Sequence, residues 1–136
     1  MAPRSITEDP DLRLLVDGRI IRPQVRSGLI YRFEVAAVSE ARIVSRSVIP
    51  AAMDPSMQDV RRLGIGLIAL QFRSANLDIV VPADDPALTD GYYPPEDRHR
   101  WTNGRAAIPT ALLACFPAGF SLEIHVTPPQ LRYPLI

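Results

Sequence analysis

Proline is spread along the whole of this 136-residue chain, and that distribution limits the fold more than any other feature. Fourteen prolines occur, about twice the ordinary usage. Proline lacks an amide hydrogen and interrupts helix interiors, so the long helices of a bundle are excluded. Short stretches with alternating hydrophobicity lie between the prolines, and this alternation favours β-strands.

The clearest local signal is Asp17-Gly18, which lies between the apolar runs 12–16 and 19–22. An Asp-Gly pair in such a position is typical of a type I′ turn, which needs a positive φ at both residues. We therefore predict a β-hairpin at this point. Asp9-Pro10-Asp11 is a further turn signal, because proline fixes φ and aspartate bonds nearby backbone.

Further strands are predicted wherever apolar and polar residues alternate. The stretch 120–126 shows this most cleanly, with Phe120, Leu122, Ile124 and Val126 directed inward. The remaining predicted strands are 29–38, 41–48, 65–72, 77–81, 105–109 and 131–133. The count of eight or nine short strands, with turns at regular spacing, indicates an all-β protein.

Helical signals are few. Asp54-Pro55 and Gly64 resemble the start and the stop of a helix over 55–63. One helical turn is expected after Asp85, and 111–114 fits either a strand or a helical turn. We predict an N-terminal arm over residues 1–10 and one antiparallel, jelly-roll-like β-sandwich domain over 11–136, with one or two short helical turns.

Composition excludes several classes of protein. Fifteen arginines balance ten aspartates and five glutamates, and lysine is absent, so the chain lacks the basic field that non-specific nucleic-acid binding needs. No apolar run approaches the ~18 residues of a membrane span. No signal peptide is visible at the N-terminus, so the compartment stays unknown, with the cytoplasm as the default. The single cysteine, Cys115, excludes an internal disulfide.

The most distinctive segment is 91–104, which combines aromatic, charged and amide side chains. Aromatic rings beside such groups suit a sugar, whose CH face packs on a ring while planar polar groups bond its hydroxyls. In the alternative interpretation Trp101 starts a strand and fills the core. The candidate ligand-binding residues are Tyr92, Tyr93, Glu96, Arg98 and Trp101.

Five carboxylates fall close together along the chain: Asp84, Asp85, Asp90, Glu96 and Asp97. These carboxylates can be turn residues, a calcium site or an acid/base pair for glycoside hydrolysis. Turn signals already explain most of the five carboxylates. Neither His99 and His125 nor Cys115 shows the spacing of a zinc site. Cys115 follows apolar residues and is expected to pack as a small hydrophobe. We expect neither a metal nor a cofactor.

Several segments, taken in order, resemble one bacterial family. They are DPDLRLLVDGR at 9–19, ARIVSR at 41–46, DVRRLG at 59–64, DPAL at 85–88 and GYYPPEDRHRWTNG at 91–104. This order is similar to the β-rich module that follows Hedgehog/intein-type (Hint) domains, and to modules attached to glycosyltransferases. The resemblance covers about residues 8–134. It implies no catalysis, and self-splicing is not carried over because the Hint nucleophile block is missing.

From these observations we expect a non-catalytic binding or accessory module with a carbohydrate as its ligand. One alternative is a small hydrolase that acts on glycans with Glu96 or Asp90. The second is a structural or oligomerising module without a small ligand. The partners expected are accordingly a glycan, a protein or a second copy of the chain, and not a nucleic acid.

Overall fold

A computed structural model describes residues 5–135. Strands make up 40% of it and helices 7%, which confirms the predicted all-β class. The two helices are α1 (Pro50–Met53) and α2 (Thr110–Ala114). The strands are β1 (Ile6–Thr7), β2 (Arg13–Val16), β3 (Arg19–Ile21), β4 (Val25–Ser27), β5 (Ile30–Val35), β6 (Ala41–Val44), β7 (Gly66–Arg73), β8 (Asp78–Pro82), β9 (Arg100–Trp101), β10 (Arg105–Ala107), β11 (Phe120–Val126) and β12 (Tyr133–Pro134).

The strands form two antiparallel sheets and one short ribbon. The small sheet has the order β10-β6-β2-β3, and the large sheet has the order β4-β5-β11-β7-β8, with β9 paired to β7. The ribbon joins β1 to β12, so Ile6 and Thr7 of the N-terminal arm pair with Pro134 and Tyr133. Residues 1–4 of that arm lie outside the described part of the chain.

The core lies between the two sheets and forms one continuous cluster. Leu14 and Ile43 enter it from the small sheet, and Phe33, Phe72 and Leu122 from the large sheet. The four apolar residues predicted to point inward along 120–126 are all buried, because successive side chains of a strand alternate between its faces. Phe116, which follows α2, belongs to the same cluster and stacks on Phe72 at 5.9 Å between ring centroids.

The Asp17-Gly18 hairpin is confirmed. The φ angles are 45° at Asp17 and 81° at Gly18, and β2 pairs with β3 on either side of the turn. The Asp17 carboxylate also accepts hydrogen bonds from the backbone amides of Ser39 (3.2 Å) and Glu40 (2.9 Å). The turn therefore fixes the loop that leads into β6.

The predicted helix over 55–63 is wrong, since the helix lies earlier, at Pro50–Met53. Asp54 precedes a proline, which disfavours the helical region at that residue, and its carboxylate accepts hydrogen bonds from Ser56 N (3.0 Å) and Oγ (2.8 Å). The segment after Asp85 is a turn rather than a helix, with Asp85 Oδ1 accepting from Ala87 N at 2.9 Å. The ambiguous segment 111–114 belongs to α2.

Candidate functional site

The segment 91–104 folds back against the sandwich as an irregular hairpin. Tyr93 N donates to the carbonyl oxygen of Trp101 at 3.0 Å, and Glu96 N donates to that of His99 at 2.8 Å. Gly91 (φ 90°) and Gly104 (φ 94°) reverse the chain at its two ends, where glycine adopts positive φ at little cost. The exposed tip consists of residues 94–98.

Trp101 lies in the interior, as the core interpretation predicted. It is 7% exposed, it pairs with Gly66 in the large sheet, and the His99 ring meets it edge-on at 5.4 Å between centroids. The pocket beside it measures about 30 Å³, which is room for about one water molecule. A pyranose ring therefore has no space to stack on Trp101.

Tyr92 and Arg100 also serve the architecture of this segment. Tyr92 donates its hydroxyl to the carbonyl oxygen of Ala107 at 2.8 Å, and burial raises the pKa of its phenol. Arg100 is buried, and its guanidinium donates to the carbonyl oxygens of Tyr93 (2.6 Å) and Asp85 (3.1 Å). The sequence does not single out Arg100, because nothing in its local pattern marks it as a buried cation.

Tyr93 and Glu96 meet at Arg61, which is not one of the five candidate ligand-binding residues. The Arg61 guanidinium lies 5.1 Å from the Tyr93 ring centroid and 3.6 Å from the Glu96 carboxylate. Its Nε and Nη2 both donate to Asp59, at 3.0 and 2.7 Å, and these bonds lower the pKa of Asp59. Arg98 stays exposed at the tip.

The loop carboxylates act mainly in turns and ion pairs. Asp90 accepts from Arg42 at 2.7 Å, and this hydrogen bond lowers its pKa. Within residues 5–135, no group of three or more His, Cys, Asp and Glu side chains is placed to hold a metal ion. Cys115 is exposed, so its predicted packing as a small hydrophobe is wrong; it follows the end of α2, on a side turned away from the core.

A second surface, which we call the polar face, lies on the outer side of the large sheet, between the exposed Val25 of β4 and Val80 of β8. In the strand register Arg32 lies opposite Glu123, and Glu123 lies opposite Gln71. The neighbouring row is Glu34, Ser121 and Arg73, and His125 lies two residues beyond Glu123. Asp78 of β8 adjoins this row, since it accepts from Gln71 Nε2 at 3.2 Å and lies 3.4 Å from Arg73. The polar face therefore consists of Arg32, Glu34, Gln71, Arg73, Asp78, Ser121, Glu123 and His125.

The side chains of the polar face hold one another in place. His125 Nε2 lies 3.3 Å from Glu123 Oε1, and Arg73 Nη1 lies 4.0 Å from the second Glu123 oxygen. Ser121 donates its hydroxyl to Glu34, whose second oxygen lies 3.7 Å from Arg32 Nε. An open depression of about 710 Å³, lined in part by Glu34, Arg73 and Ser121, lies at one end of this face.

The fold and these surfaces define an all-β sandwich with an outward-facing polar surface on its larger sheet. Comparison with models of known families, with characterised proteins and with solved structures gave no match. The similarity to the module that follows Hint domains therefore rests on the sequence motifs alone and stays a prediction. Within the described residues no helix is long and apolar enough to cross a membrane.

Proposed function

We propose that this chain is a non-catalytic binding module, that its ligand is a carbohydrate, and that the ligand lies on the polar face. The observation that carries the proposal is the row Arg32–Glu123–Gln71 across three adjacent strands. Guanidinium, carboxylate and amide groups are planar, and in a fixed array they can donate to and accept from several sugar hydroxyls. Charge-assisted hydrogen bonds of this kind are about twice as strong as neutral ones.

The ion pairs of the polar face support this role because they limit side-chain motion. Glu123 is held between His125 and Arg73, and Glu34 between Ser121 and Arg32. A surface that is ordered before binding loses less conformational entropy when its ligand arrives. The tip of the segment 91–104, with Glu96 and Arg98, is the second candidate contact surface, since Tyr92 and Trp101 are turned inward.

Hydrolysis of glycans is the second candidate function. One observation favours it. Glu34 lies opposite Ser121, and Ser121 lies two residues before Glu123 on β11. The carboxylates of Glu34 and Glu123 are therefore diagonal neighbours on the sheet. A glycosidase needs one of its two carboxyl groups protonated as the general acid. Both glutamates face arginine instead, and the described carboxylates with shifted pKa values, Asp54, Asp59 and Asp90, are all lowered.

A glycan array followed by calorimetry tests the proposal. The parent chain, Glu123→Gln, Arg98→Gln and the matched charge control Glu8→Gln are compared on each glycan that is retained. We expect Glu123→Gln to weaken binding at least tenfold with an unchanged melting midpoint, and Glu8→Gln to bind like the parent. If Glu123→Gln binds the glycan as tightly as the parent chain does, the ligand does not lie on the polar face. If only Arg98→Gln loses glycan binding, the ligand lies on the tip.

The same preparation distinguishes the binding module from the hydrolase and from the structural module. If the parent chain releases reducing sugar from a retained glycan and Glu34→Gln does not, the chain is a hydrolase and the binding-module proposal is wrong. A chain that sediments as a dimer and retains no glycan overturns the proposal in favour of the structural module.

A further inference from the structure

We propose a second binding site, for the phosphoryl or sulfuryl group of a small ligand, in a cleft on the small-sheet side of the molecule. This inference goes beyond the carbohydrate proposal, because the cleft is built from different residues. The cleft measures about 600 Å³ and is lined by Arg13, Arg46, Arg62, Ser45, Ser47 and Asp11, together with two residues of the C-terminal segment. We call it the arginine cleft.

Strand pairing brings two of the arginines together. Arg13 on β2 lies opposite Val44 on β6, so Arg46, two residues further along, is its diagonal neighbour. Such neighbours lie about 7–8 Å apart between Cα atoms, within reach of long side chains. Arg62 comes from the segment before β7, and its Nη1 donates to Ser47 Oγ at 3.2 Å. Three guanidinium groups thus approach one cleft from three segments.

Two of these guanidinium groups are held by backbone. Arg13 Nη1 donates to the carbonyl oxygen of Asp11 at 2.7 Å, and Arg46 Nη1 donates to that of Asp9 at 3.0 Å. Within residues 5–135 these bonds use only Nη1 of each arginine, which leaves Nε and Nη2 for a ligand.

The charge of the region favours an anion. Asp11 is shared by Arg13 (3.1 Å) and Arg22 (2.5 Å). Asp9 is likewise shared by Arg26 (3.7 Å) and Arg46 (3.8 Å). The Arg62 guanidinium donates to a neutral group, the Ser47 hydroxyl. Among the described residues that line the cleft, three arginines therefore stand against one carboxylate, Asp11, although the whole chain is neutral.

The geometry indicates the chemistry of the ligand. Arginine presents a planar fork of donors that matches phosphate oxygens, and all the cations here are arginine because the chain has no lysine. Three forks that come from three segments suit a tetrahedral oxyanion, and the Ser47 hydroxyl can donate its own hydrogen to the same group. The phosphoryl or sulfuryl group can belong to a free ion or to a substituted sugar.

Titration of the ¹⁵N-labelled chain at constant ionic strength tests this inference. The probes are inorganic phosphate, sulfate and glucose 6-phosphate, with glucose and chloride as references. We expect saturable shifts around Ser47 with each oxyanion and none with chloride, and at least tenfold weaker binding by Arg62→Gln. The matched control Arg19→Gln, an exposed arginine outside the cleft, is expected to bind within twofold of the parent.

Each outcome decides the inference. Tighter binding of glucose 6-phosphate than of inorganic phosphate identifies a substituted sugar as the source of the anion, and the reverse identifies the free ion. Equal shifts with chloride, or equal weakening in Arg19→Gln and Arg62→Gln, overturn the site. Glu123→Gln is expected to leave phosphate binding unchanged, so a failure of the carbohydrate proposal is measured separately.

Discussion

The hydroxyl of Tyr133 donates a hydrogen bond of 2.6 Å to the carbonyl oxygen of Gly64, across 69 residues of chain. The amide of Gly64 in turn donates to the carbonyl oxygen of Thr102 at 2.7 Å. The Thr102 hydroxyl is buried and accepts from Ile65 N at 3.1 Å. Gly64 is therefore the point at which the C-terminal segment, the approach to β7 and the segment 91–104 meet.

A methyl group at Gly64 has no space. A Cβ at this position lies 2.5 Å from Gly104 N and 2.6 Å from Thr102 Oγ1. Because Gly104 N is a backbone atom, a segment of the main chain has to shift. We expect Gly64→Ala to lower the free energy of unfolding by about 3 kcal/mol. Gly18→Ala is the control, since a Cβ there meets nothing within 4 Å and only the positive φ costs about 1 kcal/mol. Chemical denaturation measures the unfolding free energy of both variants. Equal losses of that free energy in Gly64→Ala and Gly18→Ala contradict the crowding at Gly64.

Trp101 and Tyr93 are expected to respond differently to truncation. Loss of the buried indole in Trp101→Ala removes packing and leaves a cavity, which costs about 3–5 kcal/mol. Tyr93→Ala removes a half-buried ring whose hydroxyl donates to the Arg62 carbonyl oxygen at 2.8 Å, with a net loss of about 1 kcal/mol for that bond. Thermal midpoints of the two variants provide the comparison. A Trp101→Ala chain that melts like the parent shows that Trp101 lies outside the core.

Arg100 and Arg98 form a matched pair of nearby arginines. Replacing Arg100 with methionine preserves much of its stem but leaves three carbonyl oxygens without this donor: that of Ala83, which is buried, and those of Tyr93 and Asp85, which are part-buried. An unsatisfied buried acceptor costs about 1–3 kcal/mol, so we expect Arg100→Met to destabilise the chain by at least that amount. Arg98→Met, at the exposed tip, is expected to change the unfolding free energy by less than about 0.5 kcal/mol. Similar losses in the two variants argue against the anchoring role of Arg100.

Alkaline pH is expected to destabilise the chain through Tyr133. Burial raises the pKa of its phenol to about 12, from the ordinary value of 10.0. The unfolded chain therefore releases this proton first, and the stabilising contribution is complete below pH 10 and falls as the pH rises towards 12. Unfolding free energies measured from pH 8 to 11.5 are expected to fall less steeply in Tyr133→Phe. Identical slopes for parent and variant contradict this contribution.

Local sequence determined much of the fold. The hairpin at Asp17-Gly18 depends on two φ angles that these residue types permit, and the inward face of 120–126 depends only on alternation along one strand. Turn residues, alternation along strands and the prolines together indicate the all-β class. The sequence shows all three directly, because each depends on fewer than about ten consecutive residues. The core interpretation of Trp101 likewise uses only its position at the start of a short strand.

Tertiary structure decided the rest. Asp54 ends α1 instead of starting a helix, because the bonds to Ser56 and the following proline outweigh the capping pattern. The burial of Arg100 depends on carbonyl oxygens from two segments outside its own strand. The polar face and the arginine cleft depend on strand register, which pairs residues such as Arg32 and Glu123 across some 90 positions. Alternation shows that a side chain points outward, but only the pairing of the strands decides which neighbouring side chains it meets.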